Sequence, residues 1–146
     1  MARNTINQRT VGDEIKDEAI AAAIIAPGNL IEVVNNAGVI EVQNHSTSDG
    51  IAAPTVAVED DLQGNDINDN YAAAARVQYL HFRAGERALM HLANGENAVI
   101  GDFLSSNGDG TLQVSTTLSI GIAKENIDMS DSSGADPDGT IIVEFI

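Results

Sequence analysis

The sequence contains no cysteine and no tryptophan. Without cysteine there are no disulfides, no thiolate zinc sites and no cysteine nucleophile. Aromatic residues make up only 3% of the chain, which leaves little material for base-stacking platforms. Cations are scarce as well, with 7 Lys and Arg against 22 Asp and Glu and a formal charge of -15. Phosphate binding requires neutralising Lys and Arg, so bulk attraction to nucleic acid or to an anionic membrane is not expected. Long apolar runs are missing too. The longest runs from Ala19 to Ala26, too short to span a bilayer. Met1 to Thr10 is polar and lacks an apolar leader core, so the expectation is a soluble protein made in a cytoplasm.

What is present is one domain's length of chain, 146 residues. A chain of this size buries roughly two-thirds of its unfolded surface and holds a core unaided. The acidic excess has two readings. One is solubility through mutual repulsion. The other is a halophilic habitat, because Lys16 and Lys124 are the only lysines and unmatched carboxylates repel one another in dilute buffer. At 1 M salt the Debye length is only ~3 Å, and that repulsion is largely screened.

Residues 1–12 are polar and read as an N-terminal arm, followed by a single β-barrel domain over 13–146. Asp13 to Ala26 has acids first and then Ala and Ile, which favours a helix by propensity and dipole. An extended segment ending at the Pro27-Gly28 turn pair is the competing reading. From Leu30 onward short apolar runs alternate with turn residues. Leu30 to Val42 reads as a β-hairpin around Asn35-Asn36-Ala37-Gly38, and Arg76 to Phe82 with Arg87 to Leu92 reads as a second around Arg83 to Glu86. Further short strands follow near Ala98, Phe103, Thr111, Leu118 and Thr140, and Gly121 inside its strand marks a bulge or a close backbone approach. The fold class is therefore all-β, a small β-barrel or sandwich with a polar N-terminal arm and, if 13–26 is helical, one short helix.

Candidate chemistry is thin. In a hairpin through Gly85, His81 and His91 fall on neighbouring strands, but two imidazoles make a poor metal site. The run Asp66-Ile67-Asn68-Asp69-Asn70 begins like a calcium loop, yet Tyr71 stands where that loop needs Gly and Val77 where it needs Glu. Asp131, Asp136 and Asp138 form a second acidic loop with oxygen ligands of the right kind. Solvated loop charge is the simpler reading of both. Asn107-Gly108-Asp109-Gly110 has no Lys and opens a strand, so it reads as a tight turn and not a phosphate loop. No catalytic residues, metal or cofactor are assigned.

Several strings carry a resemblance. Ile24-Ile25-Ala26-Pro27-Gly28-Asn29-Leu30-Ile31-Glu32, Val58-Glu59-Asp60-Asp61-Leu62-Gln63-Gly64 and Ile67-Asn68-Asp69-Asn70-Tyr71-Ala72-Ala73 occur in order. Gly95 to Leu104, Asn107 to Leu112, Ala123 to Asp128 and Ile141 to Val143 follow. Together the run resembles the small capsid decoration, or cement, proteins of tailed bacterial and archaeal viruses. Two departures are Ala74-Ala75 in place of that family's Gly-Asp, and Ile142 and Glu144 where its closing strand carries arginines. The resemblance implies a non-enzymatic virion protein on the outer surface of the capsid, bound to the major capsid protein and homo-oligomeric, with a trimer favoured. The arm would supply the contacts, with Ile6 and Val11 as apolar anchors and Arg3 and Arg9 paired to carboxylates. The alternatives are a carbohydrate- or cell-surface-binding β-module, for which Tyr71 is the only aromatic read as lying in a loop, another virion role such as a tail or neck component, and an enzyme.

Overall fold

The structure, a computed structural model, describes residues 4–133, 136 and 138–146. The strands in chain order are β1 Asn7–Arg9, β2 Ile15–Ala21, β3 Ile31–Asn36, β4 Val39–Asn44, β5 Thr55–Ala57, β6 Arg76–His81 and β7 Arg87–Leu92. They continue with β8 Asn97–Ala98, β9 Phe103–Ser106, β10 Leu112–Val114, β11 Gly121–Ala123, β12 Ile127–Asp128 and β13 Gly139–Phe145. The only helical turn among the described residues is a 3-10 turn at Asp61–Gln63. The all-β class is thus as the strand-and-turn grammar predicts.

Two sheets curl on themselves. In the first, β7 pairs with β10, β10 with β9, β9 with β11, β11 with β13, and β13 returns to β7, which closes a five-stranded barrel. The short β1 lies along the stretch of β7 that β10 leaves open. In the second, the order is β3-β4-β2-β6-β5, and a bridge between Leu30 and Val56 links its two edges. The β8–β12 pair stands apart.

The barrel interior is filled by residues such as Leu92, Leu104, Leu112, Ile141 and Val143, all fully buried. Phe82, just beyond β6, stacks on Phe145 at 4.8 Å between ring centroids, so the main core spans both sheets. A smaller core of Ile25, Ile31, Val42, Val77 and Tyr79 fills the second sheet.

Local chemistry explains several joins. Ala37 (φ 49°) and Gly38 (φ 88°) are the two central residues between β3 and β4, the positive-φ pair of a type I′ turn. The Asn35 side-chain oxygen accepts the Gly38 N–H at 2.7 Å. At Gly121 a Cβ would meet the Glu144 carbonyl oxygen at 2.7 Å, which is the close backbone approach read from the sequence.

Three readings are decided or corrected. Over 13–26 the extended alternative holds for residues 15–21, which form β2, because six of them pair with β6 from Ile15↔His81 to Ile20↔Arg76, and the ladder overrides helix propensity. The expected hairpin of Arg76–Phe82 with Arg87–Leu92 does not form. β6 is taken by β2 and β5, and β7 by β13 along one edge and by β1 and β10 along the other, so neither strand has an edge left for the other. The third concerns the arm. Ile6 is only 2% exposed and sits in the main core, and the Leu89 N–H donates to its carbonyl at 2.8 Å. Asn7–Arg9 is a strand paired with this chain's own barrel, and Ile6 packs into the core just before it.

Candidate interaction surface

The segment before β2 is fastened by carboxylates. The Ile6 N–H donates to buried Glu59 at 3.1 Å, and the Val11 N–H donates to Glu86 at 2.9 Å. Glu86, 2% exposed, also accepts the Arg83 N–H at 2.8 Å and its guanidinium at 3.1 Å. Burial alone would raise the Glu86 pKa. The Val11 and Arg83 donors outweigh it and hold the carboxyl below its ordinary value.

Of the four residues expected to contact a neighbour, Ile6 is therefore turned inward and Arg3 lies outside the described residues. Val11 is 60% exposed. Arg9 donates from Nε to the Gly85 carbonyl at 3.1 Å and from Nη2 to Glu144 at 3.2 Å.

Glu144 is the centre of a row that crosses the barrel wall. The registers place Phe103 opposite Ile122, Ile122 opposite Glu144, Glu144 opposite Arg87, and Arg87 opposite Arg9. Directly opposed residues share a face, so the five side chains form one stripe on the outside, apolar at one end and cationic at the other. Arg87 donates to Glu144 at 2.7 Å, and Lys124 stands 3.7 Å away. The Arg87 hydrogen bond, with the charges of Lys124, Arg87 and Arg9, keeps the Glu144 carboxyl below its ordinary value against the opposing desolvation. Three of the chain's seven cations thus gather on one carboxylate. At the apolar end Phe103 is 48% exposed, while the other four aromatics are buried. The turn before β9 adds Val99 and Ile100, 49% and 62% exposed. Sequence reasoning missed this stripe. The adjacent Leu104 belongs to the core, so Phe103 faces outward by alternation, but the register that aligns it with Arg87 is not written in any local string.

The histidines do not converge. His81 Nδ1 lies 3.1 Å from the Thr55 hydroxyl and His91 Nε2 is 2.9 Å from the Pro27 carbonyl. His45 is buried, with Nδ1 2.7 Å from the Ser106 hydroxyl, Nε2 3.1 Å from the Ile51 carbonyl and Glu32 at 3.7 Å. The order Ser-His-Glu is that of a hydrolase triad, but Ser106 is 0% exposed and its oxygen also accepts the Gly108 N–H. The group braces the 44–51 loop against β9.

In the loop that begins like a calcium site, Asp66 and Asp69 accept backbone N–H groups of residues 68 and 66. Among the described residues no three His, Asp or Glu converge as a metal-binding group. Tyr71, the aromatic that a carbohydrate-binding reading relied on, is 7% exposed and donates its hydroxyl to the Val58 carbonyl at 2.6 Å. The acidic loop does present one apolar residue. Leu62, on the 3-10 turn beside Asp60 and Asp61, is 93% exposed.

No family model matches the chain, and none of the curated proteins matches its sequence. Among solved structures its fold is similar to the N base of head fiber gp8.5 of bacteriophage phi29. The likeness has a TM-score of 0.63 at 12% identity and covers 92% of this chain and 95% of that one. At that identity it is a likeness of fold.

Proposed function

We propose that this chain is a non-enzymatic structural protein of a viral head, bound to the outside of the major capsid lattice, where it acts as a decoration or cement subunit. The observation that carries the reading is the fold likeness along nearly the whole chain to the base of a phage head fiber. The ordered strings from Ile24 to Val143 that resemble decoration proteins point the same way. The surface supports an adhesive role. Its net charge is strongly negative and repels DNA, while an apolar-to-cationic stripe is left open to a second copy of the chain. The partner is the major capsid protein, and the working form is a homo-oligomer, a trimer where three-fold capsomer junctions present three equal sites. Val11 remains at the molecular surface for the capsid contact and Arg9 for the contact between subunits, whereas Ile6 serves the fold.

The test is co-sedimentation of the full chain with shells assembled from the major capsid protein encoded alongside it. Saturable binding is expected, together with a higher rupture temperature of the decorated shells. Absence of binding to both unexpanded and expanded shells would overturn the reading.

A further inference from the structure

Two surfaces of this chain complement each other in charge and in apolar content. One is the stripe on β9, β11, β13, β7 and β1, with exposed Phe103 and half-exposed neighbours at one end, Arg87 and Arg9 at the other, and Lys124, just past β11, reaching Glu144 between them. Three cations surround its central carboxylate, Glu144, in a chain whose net charge is -15. The other is the 3-10 turn at Asp61–Gln63. Its backbone is held by the N–H groups of Gln63 and Asn65 donating to the Asp60 carbonyl and that of Gly64 donating to Asp61. The turn offers an almost fully exposed leucine immediately after two carboxylates, Asp60 and Asp61.

We infer that the stripe of one copy receives the Leu62 turn of a second copy, with Leu62 against Phe103 and Ile122 and with Asp60 and Asp61 facing Lys124 and Arg9. Opposite charges around an apolar centre set register and raise the encounter rate, while burial of the leucine and phenylalanine supplies the binding. The two faces differ, so the contact is heterologous and generates a ring when the rotation between copies closes. It names the subunit contact of the homo-oligomer in the proposed function and rests on that part of the reading alone.

The full chain has no native cysteine, so introduced thiols are the only ones present. Sedimentation velocity at about 0.15 M salt, where charges still interact over ~8 Å, is the primary measurement. Leu62→Ser, at a position 93% exposed, is expected to weaken self-association about tenfold or more without lowering the melting temperature of the monomer, and Phe103→Ser is expected to weaken it as much while the chain stays folded below its melting midpoint. Lys124→Glu and Asp61→Lys are each expected to weaken it, and the two together in one chain to restore it. An oxidised mixture of a Leu62→Cys chain and a Phe103→Cys chain is expected to yield a disulfide-linked pair. A chain that stays monomeric, an association indifferent to all four substitutions, or a cysteine mixture that does not cross-link overturns the inference. A chain that associates through these surfaces yet ignores capsid shells keeps the inference and removes the head reading, and monomers that bind shells do the reverse.

Discussion

Ile6→Ala separates a strand from an arm. The side chain is 2% exposed and packs in the core that also holds Leu80, Phe82 and Ala88. Truncating a buried isoleucine to alanine removes the transfer free energy of the lost carbons and leaves a cavity, together about 2–4 kcal/mol. A chain of this size loses about 3–4 °C per kcal/mol, so the midpoint should fall by roughly 6–16 °C. Val11→Ala, at a position 60% exposed, is the internal control and should change stability by no more than about 0.5 kcal/mol. Deleting residues 2–11 should cost more than Ile6→Ala, because it also strips Glu59 and Glu86 of backbone donors and leaves buried carboxylates undersatisfied. Thermal unfolding followed by far-UV circular dichroism reads all three. If Ile6→Ala melts within a degree or so of the parent, the segment is an appendage and the packing argument fails.

Four other outcomes are expected. Gly121→Ala should lower stability by about 1–3 kcal/mol in a denaturant titration, because its Cβ meets the Glu144 carbonyl, which is held in the β11–β13 ladder. Ala37→Asn should raise the melting midpoint by about 2–4 °C, because asparagine tolerates the left-handed conformation that alanine adopts at φ 49°. The Glu86 pKa is depressed when folded, so its contribution is complete above the unbonded glutamate value of 4.5 and is lost as pH falls from there through the folded value. Hydrogen-exchange protection at residues 4–12, taken relative to the intrinsic exchange rate at each pH, should therefore fall on acidification, and Glu86→Gln should flatten that local response. If the carboxylate excess reflects a halophilic habitat, the midpoint should climb from dilute buffer to molar salt, and a flat profile removes that reading.

What was legible in the sequence was local. The β3–β4 hairpin could be read because two apolar runs flank a turn tetrad ending in Gly38, and the close approach at Gly121 because glycine inside an apolar strand has few other uses. Partner choice was not legible. Arg83 to Glu86 carries good turn chemistry, but β7 takes its full-length partner from Gly139–Glu144, about fifty residues later. That competition between a near strand and a far one is decided by how the whole barrel closes. Ile6 was misplaced for a related reason. One isoleucine among polar neighbours looks exposed until Glu59 and Leu89, far along the chain, satisfy the backbone on either side of it. The surface stripe shares this origin, since it exists only once five strands are in register.

The way the carboxylates are satisfied explains why the cations can be grouped at all. Seven Lys and Arg cannot pair with 22 acids one by one. Many acids are instead held by uncharged donors. Asp49 accepts the hydroxyls of Ser105 and Ser115, Asp109 those of Thr111, and Asp128 those of Ser130. These bonds lower the pKa values of Asp49, Asp109 and Asp128 against the opposing desolvation, which is the leading cause only at Asp109, and so keep the charge in place. Turns capped in this way need no lysine, and Arg9, Arg87 and Lys124 are left to gather on Glu144. A hydroxyl neutralises nothing, however, so the long-range field of the chain remains strongly negative. An approaching acidic loop is repelled over most of the surface and meets attraction where three cations surround Glu144, next to the one exposed phenylalanine. Repulsion elsewhere is then part of the specificity, because it removes competing contacts without adding any energy to the correct one.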